Sequence, residues 1–213
     1  MGKHLNKYRQ MANISNKAQA MPASAIRKLV PLADAAKKQG VKVYHLNLGQ
    51  PDIKSPKCAL DAIRGFNQEN VSYSHSAGLM ELRKGLVEKY YRKIGIDITV
   101  DELIVTVAGS ESVNLALEIG WYPGDEVIVL EPFYTNYNTF AFMNGLTLKA
   151  IPTDIRNGFQ IPPIEEFEKA ITDKTKAILV CNPGNPTGTQ YSKESMLALG
   201  EIARRHDLFL LSD

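Results

Sequence analysis

The sequence predicts an α/β fold built on a mostly parallel sheet with helices on both faces. Three observations predict it. Beyond Asp101, short runs rich in Val, Ile and Leu alternate with segments of helical period, the pattern of βαβ units. The runs are continuously apolar, as strands covered on both faces must be. The stretches that follow them carry Gly, Pro and Asn, residues that build tight loops at a strand's carboxyl end.

The elements follow in order. Residues 1 to 20 carry little hydrophobic pattern and read as a frayed or extended arm. An apolar pattern begins after Ser24, with Ile26, Leu29, Val30, Ala33 and Ala36. Ser24 is a candidate N-cap and Gly40 a candidate stop, and Pro31 predicts a kink or a later helix start. KVYHLNLGQPD reads as a short strand turning into a Gly/Pro loop. Two helical segments follow, SPKCALDAIRGFNQEN and GLMELRKGLVEKYYRKIG, separated by the polar loop VSYSHSA. In the second, Leu79, Leu82, Leu86 and Tyr90 share one face. Then the alternation begins. LIVTVA, EVIVLEP, LTLKAI, KAILVCN and DLFLLSD are the strand-like runs. SVNLALEIGWY, PIEEFEKAI and ESMLALGEIARRH are the helices, and YTNYNTFAFMNG is helix or loop.

Composition narrows the function. The 213 residues are 44 % hydrophobic and 23 % charged, an ordinary globular balance that excludes a fibrous or disordered chain. Lys plus Arg number 25 against 23 Asp plus Glu, so no basic surplus points to nucleic acid or an anionic membrane surface. Cys58 and Cys181 are far apart, with neither metal spacing nor a disulfide framework, and His4, His45, His75 and His206 show no metal-ligand spacing. There is no secretory pattern and no membrane-spanning apolar run. A reducing, cytoplasmic location is expected.

Ligands of open parallel sheets bind at the strands' carboxyl ends. After LIVTVA stand Gly109, Ser110 and Glu111, whose backbone N–H groups at a helix start suit a phosphate; a plain turn with Ser110 as cap fits equally. After EVIVLEP stand Phe133 and Tyr134, an aromatic able to stack on a planar ligand or simply to pack in the core. After KAILVCN comes PGNPTG, where paired Asn-Pro steps and two glycines dictate a tight loop that either presents the Asn185 amide or folds it back on its own backbone. Pro186 is a candidate cis proline. After LFLLS comes Asp213, a carboxylate placed to pair with a protonated ring nitrogen or to serve as a surface acid. Cys181 reads as an inert core thiol.

These stretches together (LNLGQPD, VSYSHSAGLMELRKGL, VTVAGSESVNLAL, EPFYTNY, CNPGNPTG and LFLLSD) resemble the class I/II aminotransferases, the fold-type I enzymes that use pyridoxal 5′-phosphate. The resemblance implies an α/β large domain from residue 46 to 213, with residues 1–45 forming an N-terminal arm and a segment of the small domain. It also implies roles. Gly109, Ser110 and Glu111 would hold the cofactor phosphate, and Tyr134 would stack on the pyridine ring. Asn185 would donate to the cofactor's phenolic oxygen and lie near the substrate carboxylate, with Gly49 beside it. Asp213 would pair with the pyridinium nitrogen, and Tyr73 would reach the phosphate of a neighbouring subunit in a homodimer. The implied reaction moves an amino group from an amino acid, aspartate by default, to a 2-oxo acid. Carbon–sulfur lyases, aminocyclopropane-carboxylate synthases or an inactive short cofactor-binding module share the cradle.

One departure stands out. The family's Schiff-base lysine falls a few tens of residues beyond the aspartate that Asp213 matches, and no lysine here lies at a matching position. The chain therefore reads as an incomplete, N-terminal part, with no catalytic lysine of its own and with apolar surface that favours aggregation when isolated.

Overall fold

In the computed structural model, which describes residues 13–24 and 26–213, four strands form one parallel sheet. They are β1 (Glu126–Glu131), β2 (Thr147–Pro152), β3 (Thr175–Val180) and β4 (Phe209–Ser212), in the order β2-β1-β3-β4. The register pairs Val129 with Ala150 on one side and with Leu179 on the other, and Leu179 with Leu211.

Alternate residues of each strand serve opposite faces, so the sheet sorts its own core. Val127, Val129, Ala177 and Leu179 point to one face. There they meet Val113 and Leu117 of α5 (Ala108–Gly120) and Tyr137 and Ala141 of α6 (Asn136–Asn144). Ile128, Leu130, Ile178 and Val180 point to the other face. There they meet Phe167 of α7 (Ile164–Ala170) and Leu199 and Ile202 of α8 (Lys193–Arg205). The expected two-faced burial is thus present.

The chain runs from β1 through α6 to β2 on one side, then returns through α7 to β3 on the other side of β1. The strand order therefore reverses between β1 and β3. Sheets of this kind take ligands at such a reversal, beyond the carboxyl ends of the strands.

The chain divides into two compact units. One comprises residues up to 34 with 113–213, and the other residues 35–112. In the first, residues 1–12 of the expected arm lie outside the described residues, and so does His4. Residues 16–20, part of that arm, form a short helix, α1 (Asn16–Ala20), because the Ser15 hydroxyl accepts from the Ala18 N–H. The later helix start at Pro31 is borne out. A 3₁₀ turn over Arg27–Leu29, capped by the Ser24 hydroxyl on Arg27 N–H, leads into α2 (Val30–Lys38).

The second unit holds α3 (Lys57–Arg64) and α4 (Met80–Leu86), the latter continuing as a π-turn over Val87–Tyr91 and a 3₁₀ turn over Arg92–Ile94. Two expectations are corrected here. KVYHLNLGQPD forms no strand, since residues 41–52 are exposed almost throughout and pair with no ladder among the described residues. LIVTVA is extended but is no strand either: Val105 N–H bonds Ala77 O at 3.0 Å, and one bond is not a ladder. Of the stripe Leu79, Leu82, Leu86 and Tyr90, Leu86 is half-buried and the other three are exposed. α4 instead buries Arg83, whose guanidinium donates to Val100 O at 2.8 Å, and Val87 follows one turn later. Helical periodicity locates an apolar face, but the surrounding chain decides which face is covered.

Candidate active site

In the first unit the carboxyl ends of β1, β3 and β4 meet one set of polar and aromatic side chains. Four residues separate β1 from α6; Tyr134 lies just before the helix and Tyr137 in its first turn, where its N–H donates to Tyr134 O at 3.0 Å. Tyr137 is 1 % exposed. Its ring stacks on Phe133 (centroids 6.2 Å apart, planes at 10°) and receives Tyr134 edge-on at 5.5 Å and 88°. The Tyr134 ring is half-buried, and its hydroxyl accepts from Asn136 Nδ2 at 2.7 Å.

The Tyr137 hydroxyl donates to Oδ2 of Asp213, just beyond β4. The Asp213 backbone is fixed as well: its N–H donates to Val180 O at 2.9 Å, and its carbonyl accepts from Asn182 N–H at 3.1 Å. Oδ1 accepts no hydrogen bond among the described residues. One carboxylate oxygen is therefore held and the other is open. Burial pushes the Tyr137 phenol far above its ordinary value, and the Asp213 carboxylate and nearby Cys181 push it the same way. The phenol stays a donor at every working pH.

The CNPGNPTG loop leaves β3 at this rim. The peptide bonds before Pro132, Pro183 and Pro186 are cis, so the candidate at Pro186 is borne out. Asn182 Oδ1 accepts from Tyr191 N–H at 3.0 Å, closing the loop's base. Gly184 N–H donates to Thr189 O and Gly188 N–H to Gly184 O, both at 2.7 Å. A β-carbon on Gly184 would lie 2.7 Å from Thr187 Oγ1 and 3.4 Å from Thr189 O, so a larger residue would require the Thr187 side chain to move. Asn185 stands exposed, and its amide bonds no described residue. Cys181 lies one residue past β3, half-buried, with its thiol donating to Pro183 O at 3.3 Å.

Gly49, Tyr73 and the turn Gly109-Ser110-Glu111 belong to the second unit. Gly109 and Glu111 are exposed in the first turn of α5, and Ser110 is half-buried. The Glu111 carboxylate accepts from Val107 N–H, capping its own helix, and the Thr106 and Ser112 hydroxyls bond at 2.6 Å. Gly49 is exposed, and Tyr73 is fully so. Among the described residues no cluster of His, Cys, Asp and Glu could hold a metal. His206 instead pairs with Glu168 at 2.7 Å.

Sequence reasoning missed Tyr137. The available signal was its spacing: an aromatic three residues after Tyr134, where a helix follows a rim strand, must share Tyr134's side.

Chemically, the first unit offers an anchored anion, an aromatic face and an uncommitted amide along one rim. The sequence model of the family described as aminotransferase class I and II matches residues 41–213. The aspartate/prephenate aminotransferase of Thermus thermophilus is 37 % identical over 204 residues, covering 95 % of this chain and 53 % of that protein. The aspartate aminotransferase of Thermotoga maritima is 31 % identical over 201 residues, covering 94 % and 53 %. Among solved structures, a Thermus thermophilus aspartate aminotransferase superposes with a TM-score of 0.88 at 38 % identity, covering 95 % of this chain and 53 % of that one. The alanine aminotransferase of Pyrococcus furiosus gives 0.84 at 37 % identity, covering 94 % and 52 %. The chain spans about half the length of the curated relatives it matches. With the parallel sheet, its two covered faces and the rim at its carboxyl ends, these matches show that the chain belongs to the class I and II aminotransferase family.

Proposed function

We propose that this chain forms the cofactor cradle of a pyridoxal-phosphate-dependent aminotransferase, which moves an amino group from an amino acid to a 2-oxo acid. The observation that carries the reading is the Asp213 carboxylate, fixed at the rim with Oδ2 held by the Tyr137 hydroxyl and Oδ1 accepting no hydrogen bond among the described residues. That donor set fits the cofactor. A carboxylate meets a ring nitrogen, an aromatic meets a planar ring, and an amide that bonds nothing else meets a phenolic oxygen. Pyridoxal phosphate supplies, when bound, an electron-withdrawing ring that accepts the electron pair of the substrate's Cα–H bond.

The chain's residues have separate tasks. Asp213 would pair with the ring nitrogen and hold a proton there by Coulomb attraction. Tyr134 lies along the ring and excludes water from one face. Asn185 donates its amide to the phenolic oxygen and the substrate carboxylate, with Gly49 leaving room for the latter. The backbone N–H groups of Gly109, Ser110 and Glu111 hold the phosphate at the start of a 13-residue helix. Tyr73, fully exposed on its loop, reaches the phosphate of a second subunit in a homodimer. Residues 46–213 belong to the large domain and 1–45 supply an arm and a small-domain segment. Among the described residues no helix is long and apolar enough to cross a membrane, and we place the protein in the cytoplasm. Aspartate is the proposed amino donor, because two of the relatives above carry aspartate in their names.

The test is amino transfer by the natural polypeptide that carries this sequence. Aspartate and a 2-oxo acid are expected to yield a new amino acid and the donor's 2-oxo acid in equal amounts. Asp213→Asn is expected to slow turnover about a hundredfold or more, the scale of losing one preorganised electrostatic contact. Release of ammonia without any new amino acid would overturn the reading.

A further inference from the structure

We infer that Tyr137 is a positioning residue for the cofactor: it clamps one oxygen of the Asp213 carboxylate so that the other faces the ring nitrogen. The inference rests on the functional reading above and extends it to a side chain that reading leaves unassigned. Three observations carry it. First, the Tyr137 ring cannot turn, because it is 1 % exposed and is wedged between Phe133, stacked at 10°, and the edge of Tyr134 at 88°. Second, its hydroxyl donates to Oδ2 of Asp213 and leaves Oδ1 open. Third, the Asp213 backbone is bonded on both sides, to Val180 O and from Asn182 N–H, so the carboxylate's remaining freedom is rotation about its own side-chain bonds. The phenol removes that freedom.

The chemistry follows from the bond's polarity. A charge-assisted donor on Oδ2 occupies one oxygen of the carboxylate and leaves the other to meet a ring nitrogen. The phenol can do this throughout the working range, because burial and the adjacent carboxylate keep it protonated. Tyr134, which would stack on the ring, also touches the phenol edge-on, so one aromatic cluster sets both the ring's platform and its counter-ion.

The test uses the natural polypeptide stripped of cofactor and titrated with pyridoxal phosphate. The readouts are the dissociation constant and the pH midpoint of the visible band of the bound cofactor. Tyr137→Phe is expected to weaken binding about tenfold, the scale of a hydrogen bond to a charged group, and to shift the midpoint. p-Aminophenylalanine at position 137 keeps an N–H donor and is expected to recover most of both. Asp213→Asn separates this inference from the reading beneath it. If Asp213→Asn weakens binding and Tyr137→Phe, correctly folded by circular dichroism, changes neither readout, the positioning role falls and the reading stands. If neither variant changes binding or the midpoint, the reading itself falls. Should Tyr137→Phe fail to fold, the p-aminophenylalanine variant decides. Near-native binding and midpoint support the role, and a loss like that of Asp213→Asn in a folded protein overturns it.

Discussion

Tyr137 shows what a single side chain contributes at this rim. Its ring fills the core between β1 and α6, and its hydroxyl leaves that core only to meet Asp213. Burying a phenol without a partner costs free energy, so packing and hydrogen bond belong together. The same burial has a consequence at high pH. The folded chain holds the phenolic proton more tightly than the unfolded chain, whose tyrosines ionise near 10.0. The stability this supplies is complete below that pH and is lost as pH rises towards the folded value, by at most about 1.4 kcal/mol per pH unit. Denaturant unfolding of wild type and Tyr137→Phe, near neutrality and above pH 10, checks this. The stability gap between them is expected to narrow at the higher pH, and an unchanged gap would contradict the account.

At the scale of elements, the end of β1 opposite the rim carries its own anchor. The Glu126 carboxylate accepts from Thr172 Oγ1 at 2.6 Å and Thr175 Oγ1 at 3.2 Å, and pairs with Lys149 Nζ at 3.4 Å. It thereby ties β1 to β2 and to the turn that leads into β3. The Thr172 hydroxyl, first among these partners, holds its pKa below the ordinary 4.5, so its contribution is present above that value and fades as pH falls through the folded one. Glu126→Gln is expected to cost about 1 kcal/mol near neutrality and to flatten the acid limb of stability, measured by urea unfolding against pH. In the second unit Gly78 has φ of +95°, and a β-carbon there would lie 2.5 Å from the Val105 side chain. Gly78→Ala is expected to lower that unit's stability by about 1–3 kcal/mol, read as earlier loss of amide protection over residues 77–105. Equal protection in the two proteins would show that the close approach carries no strain.

The difference between these two units also explains what was legible in the sequence. All four strands and the helices α5, α7 and α8 could be read, because each of these apolar runs found its ladder and each of these helices a sheet face, while the segment of α6 fitted helix and loop equally. LIVTVA has the same composition and forms no strand, since strand character comes from pairing rather than from residue type. The Leu79, Leu82 and Tyr90 stripe was visible as a stripe, yet Arg83 and Val87 are the buried pair. At the rim, Tyr134, Asn185 and Asp213 could be singled out because loops after strands are few. Tyr137's spacing sets it on the same side as Tyr134, but an aromatic in a helix reads as core until its hydroxyl partner, 76 residues away, is placed beside it.

Large apolar side chains of the second unit stand exposed, Leu46 at 96 % and Ile53 at 84 % among them. The most direct measurement of the central claim is the intact mass of the protein isolated from its own source and reduced with borohydride. The account predicts a phosphopyridoxyl group covalently fixed to the polypeptide that carries Asp213. A polypeptide that takes up no such group, even when supplied with pyridoxal phosphate before reduction, would contradict it.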